Sequence, residues 1–173
     1  MNLNEKKIDE MTKNIVKMMN GVTTVADVRG ISYKQLEAIY NVGYTYYNSG
    51  RFDEAETVFK FLCMIEHTGH KYWTALGAVR QAKKNYKEAI QAYASAALFD
   101  MRDPKPHYYS AECAFLLGDF GLAENGILSL LELCPAGAGR NDMFREKALK
   151  LRAAIKAIKE KNAAGAAKTE GGM

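Results

Sequence analysis

Cysteine, proline, histidine and tryptophan are all scarce in this chain of 173 residues, which has three each of the first three and one of the last. Cys63, Cys113 and Cys134 form no CxxC pair and leave an odd number, so the fold is no disulfide scaffold and the thiols read as reduced packing groups. With few prolines and 48% hydrophobic residues, a collagen-like or disordered chain is excluded. No uninterrupted apolar run reaches the roughly 18 residues of a membrane span. The opening stretch, MNLNEKKIDEMTKNIVKMM, breaks its apolar residues with Glu5, Asp9, Lys13 and Lys17 instead of presenting a secretory leader. A cytoplasmic protein with no membrane insertion is expected.

Catalytic signals are equally sparse. His67 and His70 stand three apart near Glu66 with no converging third and fourth ligand, and His107 is distant, so no metal is expected. Gly137-Ala-Gly139-Arg140 lacks the Lys-Ser/Thr of a phosphate loop and reads as a linker. G-x-S-x-G and H-E-x-x-H strings are missing too. The expectation is a protein that is not an enzyme and carries no cofactor. The net charge of +4 is uneven. Residues 30–135 hold ten basic and twelve acidic side chains, whereas residues 136–173 hold nine and four. A nucleic-acid binder carries its basic patch on the folded body, and this body is slightly acidic, so no nucleic-acid partner is expected.

What the chain does contain is a repeat. Shifted by 34 residues, Gly43 aligns with Gly77 and Ala111, Phe52 with Tyr86 and Phe120, and Ala55 with Ala89 and Ala123. Phe59 likewise meets Tyr93 and Ile127, and Leu62 meets Ala96 and Leu130. Within a period, apolar residues recur at helical spacing, as in Ile39, Val42, Tyr46 and then Ala55, Phe59, Leu62, around the polar or glycine breaks Ser49-Gly50-Arg51, Lys83-Lys84-Asn85 and Gly118-Asp119. The small columns let paired helices approach closely.

Trp73-x-x-Leu76-Gly77 with Tyr86, Ala89, Tyr93 and Ala96 resembles the tetratricopeptide repeat, with Ile39 replacing Trp in the first copy and the third ending on Pro135. Fold and boundaries follow as expectations. The class is all-α: an N-terminal helix and linker over 1–30, three tetratricopeptide repeats within 31–136 (about 36–69, 70–103 and 104–137) forming a short right-handed solenoid, a C-terminal capping helix over 140–161, and a disordered tail over 162–173. Ser32-Tyr33-Lys34-Gln35 has the form of a capping box, Asp103-Pro104 of a capped start, and Asn141-Asp142 of the opening of the last helix. Ile8, Met11, Ile15, Met18 and Val22 make a helical seam that either caps the first repeat or pairs with a second copy. Phe144, Ala148, Leu151 and Ile155 form the apolar stripe of the last helix, whose basic remainder reads as a solvated face.

The inner surface of such a solenoid is lined by the first helix of each pair. Core positions of that first helix read as Ile39, Val42, Gly43 and Tyr46. Tyr40, Tyr44 and Tyr47, at i, i+4 and i+7, occupy a different face that core packing does not require. Tyrosine suits a peptide-binding wall, since its ring gives apolar contact and its hydroxyl reaches an extended backbone. Tyr47 is expected to be the least easily covered, and the N-terminal helix is the element that could bury Tyr40 and Tyr44. The matching faces of later repeats read Lys71, Thr74, Ala78, Gln81 and Lys105, Tyr108, Glu112, Phe115.

Beyond the generic repeat, Asp27-Val28-Arg29-Gly30-Ile31-Ser32, Tyr46-Tyr47-Asn48-Ser49-Gly50-Arg51-Phe52-Asp53-Glu54-Ala55, Phe59-Lys60-Phe61-Leu62-Cys63, Trp73-Thr-Ala-Leu-Gly77 and Ala111-Glu112-Cys113 are similar to the class II chaperones of type III secretion systems. The resemblance implies a bacterial cytosolic chaperone that binds hydrophobic, pore-forming translocator proteins through an extended segment held in the concave groove. Groove positions implied by register are Tyr40, Tyr44, Tyr47, Leu62, His67, Leu76 and Tyr93. Some members of that family also assist a transcription activator, and many form a homodimer through the N-terminal region. The alternative reading is a generic tetratricopeptide scaffold or regulatory cofactor joining folded proteins.

Overall fold

The computed structural model describes residues 3–136 and 142–170. Every regular element among them is an α-helix. The N-terminal segment forms α1 (Leu3–Met19) and the short α2 (Val25–Val28). Three helix pairs follow: α3 (Tyr33–Asn48) with α4 (Phe52–Ile65), α5 (His70–Ala82) with α6 (Tyr86–Phe99), and α7 (Pro104–Leu116) with α8 (Phe120–Leu133). The long α9 (Asp142–Glu170) closes the array.

Local chemistry sets these boundaries. Ser32 and Gln35 form the reciprocal capping box that opens α3, with the Ser32 N–H donating to Gln35 Oε1 at 2.8 Å. Asp103 accepts from the Lys105 N–H at 3.0 Å ahead of Pro104 in the first turn of α7. Gly50 and Gly118 break the first and third pairs in the left-handed region, at φ 73° and 78°. The equivalent residue of the second pair is Lys84, held at φ 63° where an L side chain is strained.

Packing within each pair depends on small residues facing large ones. Ala55, Ala89 and Ala123 are completely buried. A Cβ on Gly77 would fall 2.6 Å from the Tyr93 ring, and one on Gly43 would fall 2.9 Å from Phe59. The third pair inverts the arrangement. Ala111 occupies the glycine column, Ile127 replaces the ring, and the glycine moves to the partner helix, where a Cβ on Gly126 would come 3.0 Å from the Ala111 Cβ. Three core clusters result. One joins the first two pairs around Phe59, Leu62, Tyr72 and Leu76, a small one joins Ala89, Tyr93 and Cys113, and one joins the third pair to Phe144, Ala148 and Ile155 of α9. Burying each such large side chain contributes about 1.5–3 kcal/mol before entropy.

The ends differ from the expectations. The α1 seam caps nothing, because Ile8, Met11 and Ile15 are 64%, 59% and 53% exposed. Capping falls to the linker, where Val25, Ala26 and Ile31 pack into the first core beside Leu36. Val42, expected in the core, is exposed because no repeat precedes α3 to cover that face. Helix α9 runs to Glu170, past the Lys161 at which the apolar pattern stops and into the stretch expected to be disordered. This stretch contains Ala163, Ala164, Ala166 and Ala167, and alanine has the highest helix propensity of any residue, which favours a helix even where large apolar residues are missing. Residues 137–141, with the linker and the Asn141 cap, and residues 171–173 lie outside the described residues.

Candidate peptide-binding groove

An open cavity of about 500 Å³ lies across the first helices of the three pairs. Its wall from α3 is Tyr40, Tyr44 and Tyr47, with Phe59 of α4 behind them. Helix α5 contributes His70, Lys71, Thr74, Ala75 and Ala78, and the third repeat contributes Asp103, Lys105 and Tyr109. The helical spacing of the tyrosines brings them to one side. Their exposure is graded by what lies beneath. Tyr40 packs on Phe59 and Tyr72, with ring centroids 5.5 and 6.0 Å apart, and Tyr47 packs on Phe52 at 5.7 Å. Tyr44 stacks only on Tyr40 and is 51% exposed. The least covered of the three is therefore Tyr44, not Tyr47, because α4 supplies Phe52 beneath Tyr47. Core packing accounts for part of Tyr40 and Tyr47 after all, and α1 does not cover the wall.

Polar straps cross the groove from repeat to repeat. Lys71 of α5 pairs with Glu37 of α3, donates to the Tyr33 hydroxyl at 3.1 Å, and sits 4.6, 5.5 and 5.1 Å from the ring centroids of Tyr33, Tyr40 and Tyr72. Burial opposes the Lys71 charge, but the hydrogen bonds to Glu37 and Tyr33 outweigh it and raise its pKa above the ordinary lysine value. Further along, Gln81 of α5 donates to Glu112 of α7 at 2.6 Å and accepts from the Tyr93 hydroxyl at 2.8 Å. Tyr108 donates to the other Glu112 oxygen at 3.1 Å. Burial, with the Glu112 charge beside it, pushes the Tyr108 phenol up to about 12. Tyr108 therefore stays a neutral hydrogen-bonding group at physiological pH.

Four positions drawn from register do not line this cavity. Leu62 and Leu76 are buried core side chains, and Leu76 meets a separate surface pocket with Lys60, Met64, Trp73 and Arg80. Tyr93 is buried behind the wall because Gly77 vacates the space its ring fills. His67 sits at the turn between repeats, its carbonyl accepting from Trp73 Nε1 at 2.7 Å and its ring against Phe99 at 6.3 Å. Conversely, Phe59, His70, Ala75, Asp103 and Tyr109 line the cavity although the repeat register does not select them. His70 adjoins the column containing Lys71, and Tyr109 adjoins Tyr108, so a register one residue wider would have included both.

Comparison with known proteins fits this geometry. The tetratricopeptide repeat family matches residues 36–68 and 70–101. Low calcium response locus protein H of Yersinia pestis is 32% identical over 143 residues, covering 83% of each chain. The type III secretion chaperone SycD of Yersinia enterocolitica, solved with a peptide of the translocator YopD, superposes with a TM-score of 0.70 at 32% identity, over 75% of this chain and 98% of that one. The chain belongs to the class II type III secretion chaperones. A third relative in this family, PcrH of Pseudomonas aeruginosa, was solved with the chaperone-binding region of PopD and gives a TM-score of 0.70 at 35% identity, over 75% of this chain and 97% of that one. Among the described residues, no helix is long and apolar enough to cross a membrane.

Proposed function

We propose that this class II chaperone holds hydrophobic translocator proteins of a type III secretion system in the cytoplasm, keeping them export-competent by binding an extended segment in the groove between α3, α5 and α7. The observation that carries the reading is the tyrosine-walled cavity itself. At about 500 Å³ it admits a few side chains of an extended segment and not a folded domain. Tyrosine rings offer apolar contact while their hydroxyls hydrogen-bond a peptide backbone that would otherwise be left unpaired. A short groove with a few anchors gives an affinity that export can reverse. The work is binding, with no turnover. The exposed α1 seam is the face available to a second copy of the chain.

Co-expression with a translocator of the same secretion system tests this. The translocator should be soluble and co-purify with the wild type, and should be lost from Tyr44→Ala and from the triple Tyr40→Ala, Tyr44→Ala, Tyr47→Ala variant while helicity by circular dichroism is retained. Tyr44→Ala is the cleaner probe, because Tyr44 contributes least to the core. A translocator that stays insoluble beside the wild type, or binds the helical variants equally well, refutes the proposal.

A further inference from the structure

The 34-residue register places Glu37, Lys71 and Lys105 at one position of successive repeats. Stacking makes such residues neighbours along the groove. Glu37 and Lys71 neutralise each other. Lys105, which lines the cavity, is the second cation in the column and forms no ion pair with any described residue. The nearby carboxylates are held by neutral donors, and neither is ion-paired with Lys105. Asp103 accepts the Lys105 backbone N–H as the cap of α7, and the two Glu112 oxygens take Gln81 and Tyr108. One turn along α7 from Lys105, Tyr108 lies beneath a second cation, Lys147 of α9, whose Nζ is 5.5 Å from the Tyr108 centroid and 5.6 Å from that of Phe144. Lys147 also pairs with no carboxylate of a described residue. At the third-repeat end Lys105 lines the cavity, and Lys147 stands over the Tyr108 ring one turn along α7, outside the cavity's own lining, so two unpaired ammonium groups flank this stretch of α7.

We propose that this end is an anchor for an acidic side chain: the bound segment carries an Asp or Glu at a fixed offset from the apolar residue seated against Tyr40, Tyr44 and Tyr47, and its carboxylate bridges Lys105 and Lys147. The inference rests on the groove reading above and adds direction to it. One apolar and one acidic anchor at opposite ends fix which way and in which register an extended chain lies, which apolar contacts alone do not.

The test is selection of random phage-displayed dodecapeptides on the full chain, on the Lys105→Glu, Lys147→Glu variant and on the triple tyrosine variant. Wild type should select apolar peptides with Asp or Glu at one offset, and the charge-reversed variant should select Lys or Arg at that offset. For a synthetic selected peptide, replacing the acid by its amide should cost about tenfold in wild-type affinity at low salt and nothing on the variant. Should the double variant lose helicity, Lys105→Glu alone, on an exposed first turn, replaces it. Selected peptides that depend on the tyrosines but show no acid preference, or the same preference on the charge-reversed variant, overturn the acidic anchor and leave the groove standing. Absence of any tyrosine-dependent selection overturns the groove and the anchor together.

Discussion

Gly77→Ala isolates the close approach on which the second repeat depends. In a bare helix this substitution stabilises by about 0.5–1 kcal/mol, because alanine loses less backbone entropy. Here the new Cβ would stand 2.6, 2.7 and 2.9 Å from Cε1, Cδ1 and Cζ of Tyr93, against about 3.5–4.0 Å for an unstrained carbon contact. The ring has to retreat by about 1 Å on that comparison, and it is poorly placed to do so. Tyr93 is almost fully buried, its hydroxyl donates to Gln81 at 2.8 Å, and its ring stacks on Tyr109 at 5.7 Å. Overpacking of this kind costs about 1–3 kcal/mol. Set against the helix gain, a net loss of about 1–2 kcal/mol is expected, which lowers the melting temperature by about 2–4 °C per kcal/mol for a chain of this size. Thermal and urea unfolding followed by far-ultraviolet circular dichroism would measure it. The decisive control is the same substitution in a Tyr93→Val background, where no carbon lies beyond Cγ, the clashing Cδ1, Cε1 and Cζ are gone, and Gly77→Ala should turn neutral or stabilising. Equal costs in both backgrounds, or a raised midpoint in the wild-type background, would refute the packing argument.

Three further outcomes are expected. Burial of Glu56 between α4 and α5 would raise its carboxyl, but hydrogen bonds from Lys60 and Lys83 prevail and hold it at about 2 against an ordinary 4.5. Its contribution, on the order of 2 kcal/mol, is then complete above pH 4.5 and lost as the pH falls toward 2. Acid unfolding of Glu56→Gln should be much flatter than wild type across that interval, and parallel curves would contradict the assignment. Lys84→Gly removes the positive-φ strain that Gly50 and Gly118 avoid in the other pairs and should raise the unfolding free energy measured in urea by about 0.5–1 kcal/mol; a lowered midpoint at unchanged slope would show the turn is not strained. Burial pushes the Cys63 and Cys113 thiols up to about 12 and raises Cys134 as well. Iodoacetamide should therefore label none of the three in the native protein at mildly alkaline pH and all three in urea, whereas rapid native labelling would place a thiol at the surface.

Periodicity made the helix pairs legible because the pattern is written in side-chain size: a small residue at 43, 77 and 111 must face something large or be relieved by a glycine opposite. The same pattern was ambiguous about faces. Leu62, Leu76 and Tyr93 share columns with residues that could point either way, and only the vacancy at Gly77, filled by the Tyr93 ring, decides that Tyr93 lies behind the wall. Val42 failed for a boundary reason. A repeat register assumes a neighbour on both sides, and on that side the first repeat is packed only by the linker with its short helix α2, while the α1 seam stays exposed. The C-terminal stretch failed because the absence of large apolar residues shows that a segment has nothing to pack, which differs from showing that it is not helical.

The division of labour between the two sides of the wall explains how such a groove stays open without becoming sticky. Apolar cohesion between repeats is concentrated behind it, in Phe59, Tyr72, Leu76 and Tyr93, while the groove side is tied by Glu37 to Lys71 and by Gln81 to Glu112. Straps of this kind are individually weak where water reaches them, yet they fix the spacing of α3, α5 and α7 and hence the positions of the tyrosines before anything binds. Because that wall is built of tyrosine, its exposed surface remains partly solvated in the empty protein, which limits the contiguous apolar patch that would drive aggregation. A bound segment then pays little for reorganising the site, so affinity depends on the few anchors it supplies, and withdrawing them one at a time is enough to release it.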